Sequence, residues 1–321
     1  MTVLTKKLAV ASAFLCALTT QVQAAEPSHL EHPHSAGTIM FEYKYMRMAM
    51  DGLRSGTKEV TTAEGLAQGY DMVPTSMTMD MHMIMPMYNF TPALSAMLML
   101  NFLDNNMAMI NATGGEHPMQ STGLGDTHLS LSYKFLDNML AFSVDLSLPT
   151  GSTSEMMTMD HGTGPMPMSA PYAMQLGSGT YDVTPSIYYL GAYYDLRYGA
   201  MASYTYRVGD NDEGYSLADK ADAMIWVRKP VSGVSLDAEV KLMSWGGIDG
   251  RHSGIYSSME TTPALKTANY GGTAVEMTVG AAIPVGPTTI GFDVGLPVYQ
   301  NLRGLQMERT FNMSASLSAM F

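Results

Sequence analysis

The last eleven residues, Phe311 to Phe321, alternate. Phe311, Met313, Ala315, Leu317, Ala319 and Phe321 are apolar, with Asn312, Ser314, Ser316 and Ser318 between them. A period of two belongs to a strand with one apolar and one wet face. The same pattern recurs along the chain and predicts about twelve strands. The first three are Thr38–Met50, Ser76–Tyr88 and Ala93–Leu103. Then come Asp126–Leu136, Leu140–Leu148, Gly179–Leu190, Leu196–Arg207, Lys220–Val227, Val234–Ser244, Gly271–Pro284, Thr288–Leu296 and the terminal run.

Connections alternate in length. Short turns lie near residues 90, 138, 193, 230 and 286. Long loops lie at 51–74, 104–122, 149–178, 208–219, 245–270 and 297–306. An even strand count with short turns on one side and long loops on the other predicts an all-β, antiparallel, up-and-down transmembrane barrel, with periplasmic turns and extracellular loops. The barrel is expected over residues 38–321. Phe311–Phe321 is expected to close it against the first strand and to engage the barrel-assembly machinery, while the apolar rows meet outer-membrane lipid.

Composition agrees. Hydrophobic residues make up 46% and charged residues 14%, low for a soluble domain. Lys6 and Lys7 precede an apolar run, Leu8 to Leu18, and Val22-Gln23-Ala24 is a small-residue cleavage pattern. Residues 1–24 are therefore read as a cleaved export signal, which places the protein in the outer membrane of a Gram-negative cell. The single cysteine, Cys16, falls inside that signal. Residues 25–37, with His29, His32 and His34, are read as a flexible lead-in. A net charge of −12 argues against nucleic acid as a partner.

The inward rows supply the candidate chemistry. Lumen-facing candidates are Glu42, Lys44, Asp80, His82, Met97, Met99, Asp126, His128, Lys134, Asp145, Arg197, Asp222, Glu239, Lys241, Glu276 and Asp293. Charges in a narrow lumen need partners, so the plain reading is interior ion pairs; the functional reading is a wet conduit. Asp126, His128, Ser130 and Ser132 share one strand face, but such spacing arises freely in a polar row, and the chain is read as not an enzyme.

Methionine is unusually abundant, at 32 residues. The row Met77, Met79, Met81, Met83 and Met85 is read as lipid-facing, with Met standing in for Leu. Elsewhere thioethers are adaptable wall material for greasy solutes or soft ligands for copper or silver, with Met156, Met157, Met159 and His161 as the candidate site. No other cofactor is expected.

Several blocks resemble the phenol-degradation meta-pathway (MetA-pathway) family of outer-membrane transporters. They are Met87–Leu100, Ser121–Leu136, Leu146–Ser152, Pro171–Gly191 and Pro297–Glu308. The resemblance implies an exported outer-membrane barrel and uptake of aromatic compounds. Function is accordingly read as passive diffusion of a small hydrophobic or aromatic solute; the alternative is a Met/His-rich surface protein that contacts copper or silver. The loop Pro149–Ser178, long and proline-rich, is expected to fold inward as a constriction carrying Tyr172, Met174 and Gln175.

Overall fold

The computed structural model describes residues 30, 35–160, 165–256 and 260–321, the side chains of 159, 160, 165 and 166 excepted. The expected signal (1–24), most of the lead-in and His161 lie outside these residues. In chain order the strands are β1 (Ile39–Gly56), β2 (Lys58–Val60), β3 (Met72–Asn89), β4 (Leu94–Asn111), β5 (Glu116–Leu124) and β6 (Thr127–Phe135). Next are β7 (Leu140–Leu148), β8 (Met156–Asp160), β9 (Pro165–Ser169), β10 (Tyr181–Tyr193), β11 (Leu196–Val208) and β12 (Tyr215–Leu217). The last are β13 (Lys220–Val231), β14 (Val234–Trp245), β15 (Ile248–Gly250), β16 (Gly272–Val285) and β17 (Thr288–Met320).

The wall is antiparallel in the order β1-β3-β4-β6-β7-β10-β11-β13-β14-β16-β17, and β17 pairs back onto β1. Eleven elements make twelve passes. β17 has 33 residues, pairs with β16 from Thr288 to Leu302, then with β1 from Leu302 to Met320. It reverses at Gly304, whose φ is +66°. Closure leaves no unpaired edge, which a membrane interior demands. At the short-turn end, Asp137 and Asn138, and likewise Ser232 and Gly233, have positive φ. Turns of that hand match the twist of paired strands.

Two expectations about the long-loop end need correction. Strand pairing continues through 51–56 and 104–111, and β4 turns into β5 as a projecting hairpin. Nor is 297–306 a long loop, because pairing with β16 runs to Leu302 and the chain reverses tightly at Gly304. On the outer surface Asp104 accepts hydrogen bonds from Asn106, Gln120 and Thr122.

The belt is made of exposed Leu129, Leu131, Ile187, Ile225, Leu242, Val279, Val294, Leu296 and Leu317, with Tyr88, Phe90, Tyr133, Tyr193 and Phe321 toward the short-turn rim. Inside, a large apolar cluster fills the long-loop end. It joins Met48, Met50, Met77 and Met107 on the wall to Met168, Tyr172 and Met174 of the 149–178 connection and to Tyr215, Ile255, Leu265 and Tyr270.

The parity predicted for β3 is inverted. Met77, Met81, Met83 and Met85 are buried inside, whereas His82 and Ile84 are exposed on the outer face. Register decides this: Met46 lies opposite Met81, Glu42 opposite Met85, and Tyr43 opposite Ile84. Directly paired residues share a face, so the inward row of β1 carries the methionines inward with it. Asp80 goes outward, meeting Arg47 at 3.1 Å and the Tyr45 hydroxyl. His82 goes outward too, with Nδ1 2.7 Å from the Tyr43 hydroxyl.

Candidate functional site

The lumen has two chemically distinct walls. Across β1, β3 and β4 the inner face is mostly thioether: Met40, Met48, Met50, Met77, Met81, Met83, Met85, Met87, Met97, Met99 and Met107 are each less than 9% exposed, with Glu42, Lys44, Asn101 and Asn105 buried among them. Across β6 through β17 it is mostly charged and hydroxylic, with Tyr188, Met201, Met224, Trp226, Met243 and Trp245 buried among the polar groups. Among the described side chains twenty methionines are buried and five exposed, while the lipid belt is built of Leu, Ile and Val. A general compositional taste for Met would populate both faces. Its segregation ties Met to the interior.

Ion pairs tie the charged wall together. Lys220 meets Asp222 at 2.6 Å, Arg207 meets Asp182 at 2.5 Å, and Arg228 lies 4.0 Å from Asp237. Arg309 lies over the Trp245 ring at 5.1 Å and donates to Met243 Sδ at 3.5 Å. His128 Nδ1 is 2.9 Å from Asp145, whose other oxygen accepts from Ser130 at 2.5 Å. Ser147 Oγ sits 3.5 Å from His128 Nε2 and is 3% exposed. The group bridges β6 to β7.

Asp126 is the latch of the inward loop. Its Oδ1 accepts from Gly151 N at 3.0 Å, and its Oδ2 accepts from Ser178 N at 2.7 Å and Ser178 Oγ at 2.9 Å. One carboxylate thus holds both ends of the 149–178 connection. The fit requires glycine: a Cβ on Gly151 would meet Leu176 O at 2.6 Å, and one on Gly177 would meet Asp126 Oδ1 at 2.4 Å. Within the loop, Gln175 accepts from Glu155 N at 2.9 Å and donates to Ala170 O at 3.0 Å. Ser121 donates to Met174 O at 2.6 Å.

On the loop's returning limb Tyr172 packs edge-on to Tyr215 (4.9 Å) and Tyr270 (5.5 Å). Its hydroxyl accepts from His252 N at 3.2 Å. Burial raises all three phenols above the ordinary value of 10.0. At the opposite end of the lumen, Leu30 packs against Ala141, Tyr188, Met201, Met224 and Trp226.

The structure places Glu42, Lys44, Met97, Met99, Asp126, His128, Lys134, Asp145, Lys241 and Glu276 buried inside the barrel. Asp222, Glu239 and Asp293 share that face half-buried, Asp293 accepting from Ser314 at 2.7 Å. Arg197 shares a face with buried Met201 but is exposed at the short-turn rim. Asp80 and His82 are outside. Tyr172, Met174 and Gln175 are brought together in the inward loop. Met156 and Met157 are not: on β8 one is 56% exposed and the other 6%. Sequence reasoning missed the latch, although Gly151, Gly177 and Asp126 all lie in the blocks that carried the family resemblance.

No protein-family model matches the chain, and no curated protein sequence matches it. Solved structures do. An outer membrane channel, COG4313, from Pseudomonas putida F1 superposes with a TM-score of 0.63 at 16% identity, covering 93% of this chain and 100% of that one. The β domain of the Bordetella autotransporter BrkA gives 0.49 at 8% identity, over 89% and 100% of the two chains. The P. putida toluene transporter TodX gives 0.45 at 9%, over 92% of each. The first likeness establishes the outer-membrane-type barrel fold; the lower scores add nothing to it.

Proposed function

We propose that the protein is an outer-membrane channel passing a small hydrophobic or aromatic solute by passive diffusion, after export through a cleaved signal. The observation that carries this is the thioether wall. It runs from Met40 and Met87 near the short turns to Met50, Met77 and Met107 under the inward loop, and merges there with the Met and Tyr cluster. Flexible, polarizable side chains can re-pack around apolar guests of varied shape. On the opposite wall the ion pairs Lys220–Asp222 and Arg207–Asp182 hold charged side chains to one another. The lipid belt and the block resemblance support the location and the solute class.

The test is uptake of labelled toluene into proteoliposomes whose outer leaflet carries lipopolysaccharide. Uptake should exceed that of protein-free vesicles, and Met81→Asp with Met83→Asp should abolish the excess. A folded wild-type barrel that gives no excess overturns the reading.

A further inference from the structure

The register of β1, β3 and β4 places methionines in rows across three neighbouring strands. Met40 is directly opposite Met87, and Met87 is directly opposite Met97. Met50 is opposite Met77, Met77 opposite Met107, and Met107 opposite Met119 on β5. The members of both triplets, 40/87/97 and 50/77/107, are between 2% and 7% exposed and face the lumen. Two further rungs, Met46–Met81 and Met48–Met79, lie between them.

Directly opposed residues hold their Cβ atoms roughly 4.5–5.5 Å apart. Over three strands of an inwardly concave wall, the two outer thioethers can lean toward the middle one, and Met has the rotatable bonds to do so. Three neutral sulfurs converging on one point, away from water, make a soft trigonal donor set. Such a set selects a monovalent d¹⁰ ion and offers little to hard divalent cations. Glu42, opposite Met85, is the buried charge one rung from the lower triplet, with Lys44, opposite Met83, one rung further.

We infer that the two cross-strand methionine triplets, Met40/Met87/Met97 and Met50/Met77/Met107, are binding sites for Cu(I) or Ag(I) on the inner wall. They differ from the loop set Met156, Met157, Met159 and His161, whose first two members point to opposite faces of β8. The inference goes beyond the channel reading and does not depend on it: a thioether wall can serve an apolar solute without binding metal, and the reverse.

The test is titration of the purified full-length barrel with Ag(I), a redox-inert probe, in chloride-free buffer by calorimetry. Uptake should be on the order of two equivalents. Met40→Leu/Met87→Leu/Met97→Leu should lose one equivalent and Met50→Leu/Met77→Leu/Met107→Leu another, because Leu keeps the volume and removes the sulfur. X-ray absorption of the silver-loaded protein should show a sulfur shell. Heat-modifiable migration on gels confirms that each variant is folded. Unchanged stoichiometry in both folded triple variants, or loss only in Met156→Leu/Met157→Leu/His161→Ala, overturns the inference. Toluene uptake is measured on the same samples: uptake without silver binding overturns the metal sites alone, and silver binding without uptake overturns the channel reading alone.

Discussion

Asp126 shows how much a single residue can organise. A buried carboxylate holding three donors is stabilised by charge-assisted hydrogen bonds of roughly 1.5–3 kcal/mol each. Asp126→Ala leaves Gly151 N and Ser178 N without their partner. It should destabilise the loop by on the order of 3 kcal/mol while leaving the barrel closed. Single-channel conductance in planar bilayers should rise, and the loop should become cleavable by added protease. Gly177→Ala should do the same for a steric reason, since its Cβ would occupy the space of Asp126 Oδ1. At the other mouth, Leu30 is 3% exposed among Tyr188, Met201, Met224 and Trp226. Leu30→Asp should expel that contact, and increased quenching of Trp226 by acrylamide would report it.

At the scale of an element, the 149–178 connection behaves as a packed insert. Deleting Glu155–Ala170 removes Met157 and Met168 from the upper cluster and should raise conductance; unchanged conductance would count against the constriction. The phenols packed around Tyr172 make it alkali-sensitive. Tyr172, Tyr215 and Tyr270 are raised by burial above 10.0, so below pH 10 they are neutral both packed and released, and their packing is fully effective. Above pH 10 the released phenols ionise while the packed ones resist, and stability falls as pH rises. Conductance should therefore climb above about pH 10, and substituting all three tyrosines by Phe should remove that dependence.

At the scale of the whole molecule, closure depends on β17. Met320 pairs with Met40, and Phe321 N donates to Ile39 O at 2.9 Å. Removing Phe321 should lower the yield of folded barrel in the outer membrane more than it lowers toluene uptake per folded molecule.

The architecture was legible because alternation, short turns and low charge all report one physical fact: a wall with lipid on one side. Twelve passes, the inward faces of β4, β6 and β7, and the inward loop follow from it. The face of β3 did not, because both of its rows are compatible with either side. One is all thioether; the other mixes Ser, Thr, Asp, His and Ile. Polarity alone sent the methionines to lipid. Only pairing with β1, which brings Met46 opposite Met81, decided that they line the lumen. The same holds for the latch. A carboxylate 25 residues from Gly151 and 52 from Ser178 becomes a clamp only when the barrel closes and the loop returns inside. Local pattern specifies which residues alternate; long-range register specifies which side they share and what they meet there.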